Sequence, residues 1–204
     1  MLWPSINHKN ENGTVAYDIP SALLDERIIL LEGEIDSPGA LSIVSQLLYL
    51  ESVDKHSPIT IYIDSPGGSV TAGFSIYDIM NKVSCPINTV CLGMAASMAA
   101  FLLCSGSRGK RYCLPNSTVM IHQPLSGTNG MTQASDIKIL ADSILNTRQK
   151  MYEIMAMNCN RSFEEIAAAC DRDNYLDSKK ALEFGLIDKI IEFYPKAWTE
   201  EKEE

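Results

Sequence analysis

Acid–base chemistry near neutral pH most often uses histidine, and this chain has three: His8, His56 and His122. His8 stands beside Lys9 and Asn10, and His56 in Asp-Lys-His-Ser-Pro; both contexts read as solvated. His122 is different, because it ends the apolar run Thr118–Ile121 and precedes Gln123-Pro124. A side chain at a strand end can point into the cleft where α/β sites form; a satisfied structural histidine is the competing reading. Ser97 lies in Gly-Met-Ala-Ala-Ser-Met-Ala-Ala, residues 93–100. Small residues there could serve only close helix packing. At a strand-to-helix turn, however, its hydroxyl would meet free N–H groups that favour developing negative charge. That is the logic of the GxSxG elbow, although no GxSxG occurs in the chain. Asp64-Ser-Pro-Gly-Gly-Ser69 follows an apolar run, and its paired glycines let backbone N–H groups approach an anion. A tight βα turn is the plainer reading. Neither a Walker loop nor a GxGxxG fingerprint occurs.

Together these residues fit acyl transfer by a serine nucleophile. Ser97 attacks, His122 takes its proton, and N–H groups near Gly68 and Met98 hold the oxyanion. An acid must fix the imidazole tautomer. Asp136, Asp142, Asp171, Asp173, Asp177 and Asp188 all lie beyond His122, and spacing does not choose among them.

Positioning these groups requires alternating strands and helices. Arg27–Leu31, Ile59–Ile63 and Ile87–Leu92 read as strands. Gly39–Ser52, Val70–Lys82 and a small-residue segment from Gly93 to Cys104 read as the helices that follow. Three strand–helix repeats predict an α/β fold with parallel crossovers. Lys110–Cys113, Thr118–Ile121 and Leu186–Ile191 read as further strands, and Ser162–Ala169 and Ser178–Phe184 as short helices. Met131–Cys159 lacks Pro and Gly and carries Ile137, Leu140, Ile144, Met151 and Met155 largely on one face. A continuous helix there would be about 43 Å long, against about 30 Å for a small domain. It should project and bury its stripe on another subunit; a bent helix packed on its own core is the alternative.

The 204 residues fit one domain, and 46% apolar content supports a sizeable core. The net charge of −9 argues against a nucleic-acid surface, which needs clustered Lys and Arg, and reads first as solubility. The six cysteines show no CxxC spacing and no metal pattern. They predict no metal and a reducing, cytoplasmic location. Ser84–Ser107 is free of charge and long enough to span a bilayer, but Pro86 and Gly93 break it into a buried βα unit. No membrane span is expected.

The strings YDIPSALLDERIILL, SIVSQLL, YIDSPGGSVTAGFSIYD, GMAASMAAFLL, GKRYCLPNSTVMIHQPL and DRDNYLDSKKALEFGLIDKI carry a specific resemblance. They resemble the proteolytic subunit of the Clp protease, the ClpP family, in family order over most of 17–191. The resemblance implies a crotonase-like spiral of ββα units with a projecting handle helix at about 131–159. It implies Ser97 as nucleophile, His122 as general base, Asp173 as the triad acid, and Gly68 and Met98 as oxyanion donors. It implies two stacked heptameric rings of this chain, docked on a hexameric AAA+ unfoldase that uses the ATP, and unfolded polypeptide as substrate. This chain itself would hold no cofactor. Tyr62 matches a position at the unfoldase docking cleft, and Asp171 and Arg172 match a ring–ring contact pair. Residues 1–16 loosely match the family's axial loop, 17–191 form the protease domain, and 192–204 form an acidic tail without counterpart. Ala99 stands where the family usually has glycine. Two rivals remain: a crotonase-type acyl-CoA enzyme, and a paralogous subunit active mainly in mixed rings.

Overall fold

The computed structural model describes residues 4–10, 13–127 and 130–192, with no account of the side chains of 8–10 and 13–15. The reading of His8 as solvated and most of the acidic tail fall outside the described residues and side chains.

The core is a seven-stranded, mostly parallel sheet. Strands β3 (Ile28–Ile35), β4 (Ile59–Gly68) and β5 (Ile87–Ala96) pair in parallel. Each is followed by a helix: α2 (Ser37–Val53), α3 (Val70–Lys82) and α4 (Met98–Cys104). Asp36 and Ser69 cap α2 and α3, accepting N–H bonds from Gly39 and Ala72. Ile59, Ile61 and Ile63 are buried, whereas Thr60 and Tyr62 between them are half-buried. One face of β4 is thus fully covered and the other only partly. All seven residues of α4 are buried, so the charge-free stretch is core rather than membrane span. Among the described residues, no helix is long and apolar enough to cross a membrane.

β5 divides its pairing. Thr89–Cys91 pair with β6 (Arg111–Cys113), and Met94–Ala96 pair with β7 (Thr118–Ile121). Between the halves the register slips: Ile63 pairs Cys91, yet Ser65 pairs Ala95. Asp64 holds this bulge by accepting the Met94 N–H at 3.0 Å. Ser117 Oγ holds it from the other side, donating toward the Cys91 carbonyl at 2.9 Å and contacting the Leu92 carbonyl. A bulge twists and re-aims the strand, here just before Ser97. β8 (Asn174–Asp177) pairs antiparallel with β7, and β9 (Lys189–Ile190) pairs with β6.

Several boundaries differ from expectation. β4 and β5 run on through Gly68 and Ala96, because β-pairing to neighbours continues through the glycine and alanine segments. β9 is two residues long; Leu186 and Ile187 are buried before it, in the stretch where Asp188 engages Arg111. The hairpin of β1 (Ser5–Asn10) and β2 (Gly13–Asp18), helix α1 (Ile19–Asp25) and β8 were not among the expected elements, although α1 carries a local start signal in the capping Asp18 and Pro20 of its first turn. The long helix α5 is Ala134–Cys159, ending at the expected residue and starting three residues after the expected start near 131. Gly130 has φ +82 and Gln133 is extended, so the chain enters the helix only at Ala134. At 26 residues it spans about 39 Å. Its buried residues, Met151, Tyr152, Met155 and Cys159, all lie in the C-terminal half. Ile137, Ile139 and Leu145 are exposed, so the N-terminal half leaves the core with apolar groups uncovered.

Candidate active site

Sheet register brings the site together. β5 pairs β7 with Ala96 opposite Met120, and the Ser97 N–H donates to the Met120 carbonyl at 2.8 Å. β7 pairs β8 with Ile121 opposite Asn174. The next residues outward on these three chains are Ser97, His122 and Asp173. Ser97 Oγ lies 2.8 Å from His122 Nε2. His122 Nδ1 lies 3.1 Å from Asp173 Oδ1. Segments 76 residues apart in sequence are thereby joined by two hydrogen bonds.

Ser97 sits at the sharp turn from β5 into α4 with φ +55 and ψ −120. A positive φ is uncommon for a residue with a side chain and costs strain. The geometry is that of a nucleophile elbow, in which a strained turn lifts the hydroxyl out of the sheet. Elbows usually carry glycines beside the nucleophile to relieve crowding. Here alanines flank Ser97 at one remove, and the relief comes from a neighbouring strand. A Cβ on Gly67 would lie 2.6 Å from the Ala96 carbonyl oxygen and 2.8 Å from Ser97 Cβ. Gly67 (φ +92) is therefore required by both backbone and space. A Cβ on Gly68 would strike the Ile35 backbone.

Gly68 and Met98 both line a cavity of about 220 Å³ beside Ser97 and His122. Pro66, Val70, Met120, Pro124, Leu125 and Met151 complete its wall. Met98 opens α4, and the first intrahelical bond runs from the Phe101 N–H to the Ser97 carbonyl. The Met98 N–H thus belongs to the helix start, where N–H groups lack intrahelical partners. The Gly67 N–H is taken by Ser65 Oγ at 3.1 Å. A serine activated by imidazole, next to apolar walls and backbone donors, can attack an acyl carbon.

The remaining candidate acids are engaged elsewhere or exposed. Asp188 pairs with the buried Arg111 at 2.5 Å, and Asp177 accepts the Lys180 N–H at the start of α7 (Ser178–Phe184). Burial works to raise the Asp188 carboxyl, but the hydrogen bonds and charge of Arg111 outweigh it and hold it below the ordinary value. Asp136 lies in the first turn of α5. Asp171 and Arg172 are exposed, with their charged groups 4.0 Å apart. Tyr62 is half-buried on β4 and lines a separate hollow of about 130 Å³ with Leu30, Leu31, Glu32, Asp64 and Leu92. Sequence reasoning missed Asp64, Ser117 and Gly67 as supports of the elbow. Gly67 was legible as half of a glycine pair; Ser117 carried no signal. Among the described residues, no group of three or more His, Cys, Asp or Glu could hold a metal. All six cysteines are free and buried.

The Clp protease family model matches residues 10–193, which takes in the sheet, α5 and all three of the hydrogen-bonded side chains. On that match over most of its length, the chain belongs to the Clp protease family, a family of proteolytic hydrolases.

Proposed function

We propose that this chain is the serine endopeptidase subunit of a self-compartmentalised, ATP-dependent protease. The observation that carries the reading is the continuous Ser97–His122–Asp173 arrangement, at 2.8 Å and 3.1 Å. Ser97 Oγ attacks a peptide carbonyl while His122 Nε2 accepts its proton. Asp173 accepts the Nδ1–H bond, keeps the imidazole in the working tautomer and stabilises its protonated form. The N–H groups of Gly68 and Met98 receive the oxyanion. His122 then protonates the leaving amine, and a water deprotonated by His122 hydrolyses the acyl-enzyme. The apolar wall of Met98, Met120, Leu125 and Met151 favours an apolar side chain next to the cut bond.

The same proposal includes the fold's finer form and the assembly. The chain is a crotonase-like spiral in which the split pairing of β5 starts the second layer, and α5 acts as a handle. Handles of two heptameric rings interlock and cover Ile137, Ile139 and Leu145, which are exposed in the single chain. The protease domain covers 17–191, with 1–16 as axial segment and 192–204 as tail. A hexameric AAA+ unfoldase supplies unfolded polypeptide and uses the ATP, docking near Tyr62. Asp171 and Arg172 meet the opposite ring. The location is cytoplasmic. Labelling by a fluorophosphonate probe, mapped to Ser97 by mass spectrometry, tests the reading. No adduct at Ser97 in an assembled particle would refute it, and turnover of an acyl-CoA would favour the crotonase-type alternative.

A further inference from the structure

The β7–β8 ladder ends at the pair Ile121–Asn174, one residue short of His122 and Asp173. The acid therefore stands outside the ladder that aims it. Packing within the single chain does not hold it either, since the Asp173 side chain is 61% exposed there. Cys170 is the last buried residue before it; Asp171, Arg172 and Asp173 are all exposed. The turn is instead tied by two side-chain amides. Asn174 Nδ2 donates to the Ala169 carbonyl at 3.1 Å, at the end of α6 (Phe163–Ala169). Gln123 Nε2 donates to the Asp171 carbonyl at 2.8 Å, reaching across from the segment that follows β7 and carries His122. A backbone carbonyl only accepts, so this contact requires the amide nitrogen and defines the orientation of Gln123.

We propose that Gln123 is a positioning residue: its side chain extends the β7–β8 pairing by one further bond and so holds Asp173 opposite His122. The inference rests on the triad reading above. Gln123 directly follows His122 in the chain, so this bond links base and acid through a short closed circuit of backbone. It is absent from the wall of the catalytic cavity. Its loss should therefore lower turnover without weakening substrate binding.

The test compares kcat and KM for a fluorogenic peptide in the wild type, Gln123→Leu, Gln123→Glu, Asp173→Asn and the Gln123→Leu/Asp173→Asn double variant. Assembly is checked by light scattering. Gln123→Glu keeps the shape but sets an acceptor against the Asp171 carbonyl. Both Gln123 variants should lose on the order of ten-fold in kcat, the equivalent of one net hydrogen bond, with KM unchanged. In the Asp173→Asn background, Gln123→Leu should cost almost nothing more, because the acid it positions is already gone. Additive losses, a rise in KM at constant kcat, or an unchanged kcat would each overturn the inference. Full activity in Asp173→Asn would instead refute the triad itself, a different outcome from failure of Gln123 alone.

Discussion

Gly67→Ala isolates the demand that the elbow makes on its neighbour strand. The added Cβ would lie 2.6 Å from the Ala96 carbonyl oxygen, 2.8 Å from Ser97 Cβ and 2.9 Å from the Met98 nitrogen. Optimal non-bonded separations are about 3.5–4.0 Å between carbons, so something must move by on the order of 1 Å. All three atoms are backbone or Cβ atoms of the elbow, with no flexible side-chain end to yield. A displacement of about 1 Å at a nucleophile costs about 100-fold in rate. Left-handed strain at φ +92 adds about 1–2 kcal/mol of destabilisation, and overpacking adds about 1–3 kcal/mol. Gly33→Ala is the matched control. Gly33 has φ +74 in β3, but nothing lies within 4 Å of its Cβ position. It should carry the strain alone. Thermal or denaturant unfolding and the fluorophosphonate labelling rate at Ser97 separate the two effects. Gly33→Ala should lose stability and keep its labelling rate; Gly67→Ala should lose more stability and label about 100-fold more slowly. Equal labelling rates in the two variants would refute the crowding account of the elbow.

Ser97→Ala should reduce peptide hydrolysis by on the order of 10⁶-fold while leaving the assembled mass unchanged; comparable turnover would remove the serine mechanism. Asp188→Asn should destabilise the fold by about 3–5 kcal/mol, because it leaves the Arg111 guanidinium buried without its partner. The folded Asp188 carboxyl is held below its ordinary value, so its contribution is present above about pH 4 and is lost as pH falls through the folded value. Melting curves of wild type and Asp188→Asn should therefore converge in acid, and a gap that widens there would contradict the linkage. Size-exclusion chromatography with light scattering should give the mass of two heptameric rings. Ile137→Glu and Ile139→Glu on α5 should shift it toward smaller species, and a fully active monomer would exclude the handle role.

Chemistry-bearing residue types were legible in the sequence, whereas their meeting was not. Ser97 among small residues, His122 at a strand end and the paired glycines at 67–68 each pointed to a role from local context. Helix α7 and strand β7 were legible to the residue and α3 closely so, because hydrophobic spacing and caps are local signals. The start of α5 was not, since no capping side chain marks it. Six aspartates followed His122, and spacing left them equal. Only the family resemblance singled out Asp173; in the fold, the antiparallel register that sets Ile121 against Asn174 brings its carboxylate within 3.1 Å of His122. Register depends on pairing between segments some fifty residues apart, and a four-residue strand such as β8 carries too little pattern to announce its partner. Likewise, the sequence contained the glycine that the elbow needs, but on another strand. Only the folded sheet shows why Gly67 and Ser97 constrain one another: their backbones meet in space, and steric exclusion acts on distance rather than on chain position.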